Sequence, residues 1–525
     1  MFIAQYLQSL STGDLATDAK YIVGLLGVST LVYIFCLAIY RVWFHPLAKY
    51  PGPLLGRITP LYDFYIAYGE KRAHHFAYMH AKYGPVVRFT PDYLSFNSTK
   101  AFEDIYGWKA NVRKTDSMTS TQSDPETMST FSEIHRVPAL KKRKILQQGF
   151  SESALRDAEE YIVDQINIFC RELVNPATEH KKDMSLWLNY LAYDIMGEIV
   201  FGKGFNMLTN DKIRYILPLI DDMTFSMLLG GIIPSFHKWG LIDWIFPSIS
   251  AGRMKFIKES EARVAARIAE GVSNSAGRKD FFYHLMKHRD PETGEPLSKK
   301  MLLTEGVLLI TAGSDTTSTG LAGALFYLLK HPHCMKRLRE ELDSVFDTVE
   351  EIRMTTKMTK CRYLKACIDE SLRMAPPGPG MSPRTVMEGG MMIDGEYFPE
   401  GTDVGGAAYT YAYNPENFTD PEVFRPERFL LGEGEPEPDV LRAKGSYWPF
   451  GTGVRKCPGM KMALQELYLG IARTVYLFDI TSEKPEELKT NFEILDHFNV
   501  KKEGPWCSFK LREGRQLPSC RPVSS

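Results

Sequence analysis

Net charge is nearly absent from this chain. Its 63 lysines and arginines set against 64 aspartates and glutamates leave a formal charge of −1. No global field therefore draws it to nucleic acid or another polyanion, and no nucleic-acid partner is expected. Close cysteine pairs are missing too. Cys36, Cys170, Cys334, Cys361, Cys367, Cys457, Cys507 and Cys520 are widely scattered, unlike a disulfide framework or a zinc site, and they suit a reducing compartment. No nicotinamide fingerprint, flavin domain, internal repeat or low-complexity tract stands out, and no second domain boundary precedes a tail at residues 512–525.

What is present is ordinary for a large globular core, with 44% apolar and 24% charged residues. One stretch departs from that balance. Tyr21 to Tyr40 carries no charge and as a helix would span about 30 Å, enough for the hydrocarbon core of a bilayer. It is longer than a signal-peptide core and lacks a basic start, so it reads as an uncleaved transmembrane anchor, with a buried core helix as the alternative. Residues 1–20 then form a short lumenal N-terminus. Arg41, Lys49 and Arg57 follow the anchor, against Lys20 before it, which places the remainder in the cytosol by the positive-inside rule. Residues 41–56, with Pro46, Pro51, Gly52 and Pro53, read as a stiff linker. The apolar stretch 228–247, broken by glycine and proline, suits either a membrane interface or the core.

The chain is organised around Pro449-Phe450-Gly451-Thr452-Gly453-Val454-Arg455-Lys456-Cys457-Pro458-Gly459. Its glycines allow a tight turn and a close approach to a bulky flat group. A run of helix formers follows from Met460, so a helix N-terminus would face Cys457, and Arg455 adds a cation; both favour a thiolate. A lone thiolate in a glycine turn is what a haem iron takes as axial ligand. The stretch resembles the haem-binding loop of the cytochrome P450 family, Phe-Gly-x-Gly-x-Arg-x-Cys-x-Gly, at every position. The resemblance implies Cys457 as the metal ligand of haem b, with Phe450, Gly451, Arg455 and Gly459 around the cofactor. It also implies a mainly α fold with a small β region over residues 57–511, one unit where a length prior of about 150 residues per domain would suggest three.

Three further motifs carry the same resemblance. Met301–Lys330 is apolar almost all round, as in a central core helix, yet is interrupted by Ala312-Gly313-Ser314-Asp315-Thr316-Thr317-Ser318-Thr319. Buried polar groups there need partners, or the helix must open. In the family this motif lies on the oxygen side, which implies Asp315 as proton relay and Thr316 as the hydroxyl beside the oxygen, with Gly313 letting the backbone approach it. Glu370 and Arg373, on one helical face at i,i+3, resemble a structural pair completed by Arg428. Arg384, after a proline-rich stretch, resembles an arginine on a haem propionate. Arg143 fits another, although Ala139 stands where the family has an aromatic. Residues 109–135 read as a long loop over a substrate cavity, 58–88 as a helix leading into a strand at 85–89, and 391–409 and 492–511 as β regions.

The reaction these motifs imply is monooxygenation of an apolar small molecule, using dioxygen and electrons from a separate NADPH-cytochrome P450 reductase. The basic residues Lys141–Lys144, Lys456 and Lys461 offer that partner a docking face. The linker YRVWFHPLAKYPGP resembles fungal microsomal members. Residues 389–429 resemble fungal secondary-metabolism members such as isotrichodermin hydroxylases. A single-pass protein of the endoplasmic reticulum membrane is expected, in contact with lipid. A haem-thiolate isomerase or dehydratase, and a membrane-anchored haem sensor, are the competing classes.

Overall fold

In a computed structural model, residues 15–272, 279–290 and 293–519 are described. Helices dominate, and their sequences explain why. In α3 (Glu152–Leu173), which follows α2 (Arg136–Gly149), Leu155, Ile162, Ile166, Phe169 and Leu173 recur at helical spacing and are buried, while Ser151 caps the N-terminus by accepting from the Ala154 amide. Helix α4 (Met184–Phe201) starts at an Asp183 cap and stops where Gly202 turns left-handed at φ +69°.

The long helix α6 (Lys299–Lys330), preceded by α5 (Ile216–Ile232), is buried on nearly every side. It runs between α4 on one flank and α7 (Arg362–Met374) and α8 (Met460–Leu477) on the other. Small residues permit this packing. A Cβ at Gly320 would lie 3.0 Å from Leu467 and 3.1 Å from Leu372, and one at Gly313 would lie 2.5 Å from the Met196 side chain of α4. Gly313 thus serves the helix crossing, and it stands half-buried beside the exposed Ala312. Helix α6 does not break at its polar run. The Thr311, Thr316 and Thr319 hydroxyls donate to the carbonyls of Val307, Ala312 and Asp315 at 2.8, 2.7 and 2.8 Å, so the helix satisfies these threonines itself, while the buried Ser314 hydroxyl has no partner among the described residues.

A five-stranded sheet sits to one side, formed by β1 (Val86–Arg88), β2 (Tyr93–Phe96), β3 (Val112–Lys114), β4 (Arg384–Val386) and β5 (Asp403–Gly405) in the order β1-β2-β5-β4-β3. Only β2 and β5 pair in parallel. The β3–β4 register sets Lys114 opposite Arg384. A hairpin of β6 (Leu495–His497) and β7 (Asn499–Lys501) turns through Phe498 at φ +80°.

Several boundaries differ from the sequence reading. The 58–88 helix is two, Leu61–Tyr68 and Arg72–Tyr83, separated where Glu70 takes φ +61°. The linker 41–56 is docked on the core: Arg57 donates to the carbonyls of Val42 and Ala48, Arg88 donates to that of Arg41, and Leu47 and Tyr50 are buried. The first part of the 512–525 tail is strapped down by Arg512 and Arg515 on Asp343 and by the Pro518 carbonyl on Arg171. Residues 1–14 of the N-terminal segment and 520–525 of the tail lie outside the described residues, and residues 15–20 already belong to helix α1 (Leu15–Ile39).

Among the described residues two helical stretches are long and apolar enough to cross a membrane. Asp211–Ile232 is largely buried in the core, whereas none of the Ala19–Phe44 window is. The 228–247 stretch divides its faces. Leu228, Leu229 and Ile242 are buried, while Trp239 and Trp244 are 70% and 80% exposed. Phe64 lies between Phe236 and Phe246 at 6.4 and 6.2 Å, leaving Leu61 and Tyr65 exposed on the same edge. Such an edge has the composition of a lipid-facing surface. Deleting residues 1–40 should therefore leave a protein that still sediments with phospholipid vesicles but is released by alkaline carbonate. Complete release by the deletion alone would show that the tryptophan edge does not hold lipid.

Candidate active site

Cys457 sits three residues before α8, and its amide donates to the Phe450 carbonyl at 2.8 Å. Phe450 itself packs against the core. The loop depends on glycine at two places: Gly451 is left-handed at φ +68°, and a Cβ at Gly453 would fall 2.2 Å from the Tyr106 carbonyl oxygen. Gly459 is less constrained, since a Cβ there would make ordinary contacts with Phe150 and the Cys457 sulfur. The thiol is unpaired and exposed, although the segments around it pack closely. Burial pushes the thiol up, and the amides of Gly459 and Met460 with the cations of Arg143 and Lys456 pull it back.

The cation beside the sulfur is Arg143, which donates to the Lys456 carbonyl at 2.5 Å. Arg455 turns the other way and donates to the carbonyls of Glu133, Ile134 and His135 at 3.0, 3.0 and 3.3 Å. There it meets Arg384 and Lys114. Burial together with Arg384, Arg455 and Arg143 pushes the Lys114 ammonium well below its usual range, and Arg455 is pushed down to about 10 by burial, then by Arg384 and Arg143. Arg384 is buried and lowered as well. The nearby carboxylate, Glu133, is already paired with Lys142 at 2.8 Å. Lys114 escaped the sequence reading because nothing in its local sequence links it to Arg384, 270 positions away.

On α6, Ala312 is exposed and Gly313 and Thr316 are half-buried, which leaves this turn partly open. Asp315, one residue before Thr316, points elsewhere: it is buried against Lys502, with Lys502 Nζ 3.3 Å from Asp315 Oδ1. Farther along α6, Glu305 Oε1 accepts from the Thr130 amide and hydroxyl at 2.6 and 2.9 Å. This pins the 109–135 segment, which also contains β3 and a 3-10 turn at Asp116–Thr121, onto the helix. Burial pushes the Glu305 carboxyl up to about 7. Phe131 from this segment and Phe498 from the hairpin tip meet at 5.9 Å.

The family described as Cytochrome P450 matches residues 46–504. The chain belongs to the cytochrome P450 family. It is similar to the cytochrome P450 monooxygenase AKT7 of Alternaria alternata, 33% identical over 512 residues covering 92% of this chain and 97% of that one. It is also similar to poxM of Penicillium oxalicum, 32% identical over 91% of this chain and 93% of the relative, and to atnE of Emericella nidulans, 34% identical over 93% and 96%.

The P450 fold implies a haem, and the residues fit one. The buried cations Lys114 and Arg384 and the half-buried Arg455, without enough anion between them, suit two propionates; an open thiol fed by two amides suits an iron. Glu370, Arg373 and Arg428 form one sealed ion cluster beneath. Arg373 donates to both Glu370 oxygens at 2.8 and 2.9 Å, and Arg428 donates to Oε1 at 3.0 Å and to the carbonyls of Thr419, Asp420 and Val423. Burial would raise the Glu370 carboxyl, but Arg373 and then Arg428 hold it below its ordinary value. The cluster ties α7 to the 419–428 segment that leads into the cysteine loop. Arg428→Leu leaves part of that buried charge unmatched and should cost about 3–5 kcal/mol, read as a lower urea midpoint. A loss under about 1 kcal/mol, the worth of an exposed pair, would contradict the role.

Proposed function

We propose that this P450 is a membrane-anchored haem-thiolate monooxygenase that inserts one oxygen atom into an apolar small molecule in fungal secondary metabolism. The observation that carries the reading is the pairing of an open thiol, Cys457, with buried cations that lack enough anion to match them. The relatives AKT7, poxM and atnE carry monooxygenase in their names, and the retained Asp315-Thr316 pair favours oxygen chemistry over rearrangement. Cys457 would hold the iron of haem b through its sulfur, and the bound haem would supply the reduction and cleavage of dioxygen, with one oxygen atom going to the substrate and one to water.

The chain's own residues do the rest. Lys114, Arg384 and Arg455 neutralise the propionates and regain ordinary cation behaviour by doing so. Arg143 and the amides of Gly459 and Met460 stabilise charge on the Cys457 sulfur. Thr316 keeps its hydroxyl proton on the Ala312 carbonyl, so its oxygen presents lone pairs to the open side of α6. Asp315 supplies protons from behind. The Glu305–Thr130 contact holds the 128–133 segment down, and the Phe131–Phe498 pair excludes water from that side.

Electrons come from NADPH-cytochrome P450 reductase. Lys141, Lys144, Lys456 and Lys461 offer its acidic surface a basic face on the cysteine side, although Lys461 also pairs with Glu152 at 2.8 Å; Lys142 turns inward to Glu133 and the Met128 carbonyl. We infer an endoplasmic reticulum membrane protein with a cytosolic catalytic domain, a reading supported by the apolar α1 helix and by the basic residues Arg41, Lys49 and Arg57 that follow it.

Cys457→Ser should abolish the thiolate-type spectrum of the reduced, carbon-monoxide-bound protein; a surviving spectrum would remove Cys457 as the ligand. With reductase, NADPH and labelled dioxygen, a panel of terpenoid, polyketide and alkaloid probes should yield a product carrying one labelled oxygen. Product formed without reductase would favour the isomerase instead. Thr316→Ala should still draw electrons but divert them to hydrogen peroxide, lowering product per NADPH by about tenfold or more, within the worth of a positioned acid–base relay. Unchanged coupling would remove Thr316 from the mechanism.

A further inference from the structure

The ion pair behind Thr316 joins parts of the chain far apart in sequence. Lys502 follows β7, and its ammonium lies 3.3 Å from Asp315 Oδ1, with the two side chains 2% and 9% exposed. It also donates to Asn189 Oδ1 on α4 at 3.1 Å, the same oxygen that accepts the Ser318 hydroxyl. The hairpin carrying Lys502 is fixed at its other side by Glu70, which meets His497 at 2.7 Å and Lys501 at 3.3 Å.

The charged and titratable groups that face Asp315 are few. From the hairpin comes Lys502, and from α4 comes Tyr193, whose hydroxyl has no hydrogen-bond partner among the described residues. From α5 comes Asp221, whose carboxyl is pushed up to about 6 by burial and by Asp315, against the pull of Lys502 and Lys501. One buried ammonium therefore pairs with the buried Asp315 carboxyl and also acts at a distance on the half-buried Asp221. As a stabilising device this is poor, since desolvation of a buried pair offsets much of its attraction and an apolar replacement often serves the fold as well. Its placement next to the one half-open turn of α6 is better explained by function.

We propose that Lys502 is the positioning residue of the distal acid, holding Asp315 as a carboxylate turned from Thr316 towards α4, so that protons reach Thr316 through this pair. The inference rests on the monooxygenase reading of the Asp315-Thr316 pair. Without the ammonium, Asp315 would be a buried acid beside Asp221 and would take up a proton. An arginine keeps the charge, so Lys502→Arg should preserve the function where Lys502→Met does not.

The test is infrared difference spectroscopy of the haem-loaded protein at neutral pH. Lys502→Met should gain a protonated-carboxyl band that wild type lacks. The band should persist in Lys502→Met/Asp221→Asn, vanish in Lys502→Met/Asp315→Asn, and be absent from Lys502→Arg. No new band in Lys502→Met, a band that survives Asp315→Asn, or the same band in Lys502→Arg would each overturn the proposal. Should the methionine variant fail to fold, Lys502→Gln, which can still reach Asn189, carries the same expectations. With the substrate found by the labelling experiment, product per NADPH should fall about tenfold in Lys502→Met, recover in Lys502→Arg, and be partly restored in Lys502→Met at higher pH as Asp315 ionises. If Thr316→Ala uncouples turnover and Lys502→Met does not, this inference fails while the monooxygenase reading stands; if neither does, the relay itself fails.

Discussion

Like charge held together in a dry place is the constraint on which this structure turns. Strands β3 and β4 could shift register and separate Lys114 from Arg384, yet they pair so that the two stand opposite each other, an arrangement that ordinarily destabilises a sheet. Arg455 joins them from the cysteine loop and Arg143 lies within reach. The loop glycines, the buried triad under the loop and the docked linker all fix the segments that bring these cations together. A dianionic ligand relieves the repulsion, and folding is then linked to binding it: the ligand stabilises the folded state because it finds no such cluster in the unfolded chain.

The second constraint is a polar seam through the apolar interior. Helix α6 carries serines, threonines and an aspartate across the middle of the core at little cost, because the Thr311, Thr316 and Thr319 hydroxyls return their protons to carbonyls of the preceding turn and its carboxylate finds an ammonium. This keeps the helix intact, so the distal face is rigid and only its side chains can rearrange during a reaction. The Glu305–Thr130 contact extends that rigidity to the 109–135 segment, and as the Glu305 carboxyl, raised to about 7, ionises, its acceptor bonds to Thr130 strengthen.

Much of this was legible in the sequence because the relevant spacing is local. The loop around Cys457, the i,i+3 pair Glu370–Arg373, the apolar anchor and the polar run in α6 are each contained within one element. What could not be read needed tertiary contact. Lys114 acquires meaning from a strand 270 residues away, and Lys502 from a helix 187 residues earlier. The direction of Arg455, away from the sulfur, is set by carbonyls at positions 133–135. The second use of Gly313, making room for Met196 on a separate helix, was equally invisible. The linker's stiffness was legible from its prolines, but its docking was not, because that depends on Arg57 and Arg88 reaching its carbonyls.

The most direct test of this account compares haem b with its dimethyl ester, which has the same iron and ring but no propionate charges. Both are titrated into the haem-free protein and followed by the absorbance of the thiolate-bound form. The account predicts that the ester binds at least tenfold more weakly, a loss of about 1.4 kcal/mol or more, and that changing Lys114 to Met narrows the difference. Equal affinity for haem and ester would mean that the buried cations serve something else, and would contradict the claim that they, with Cys457, define the site.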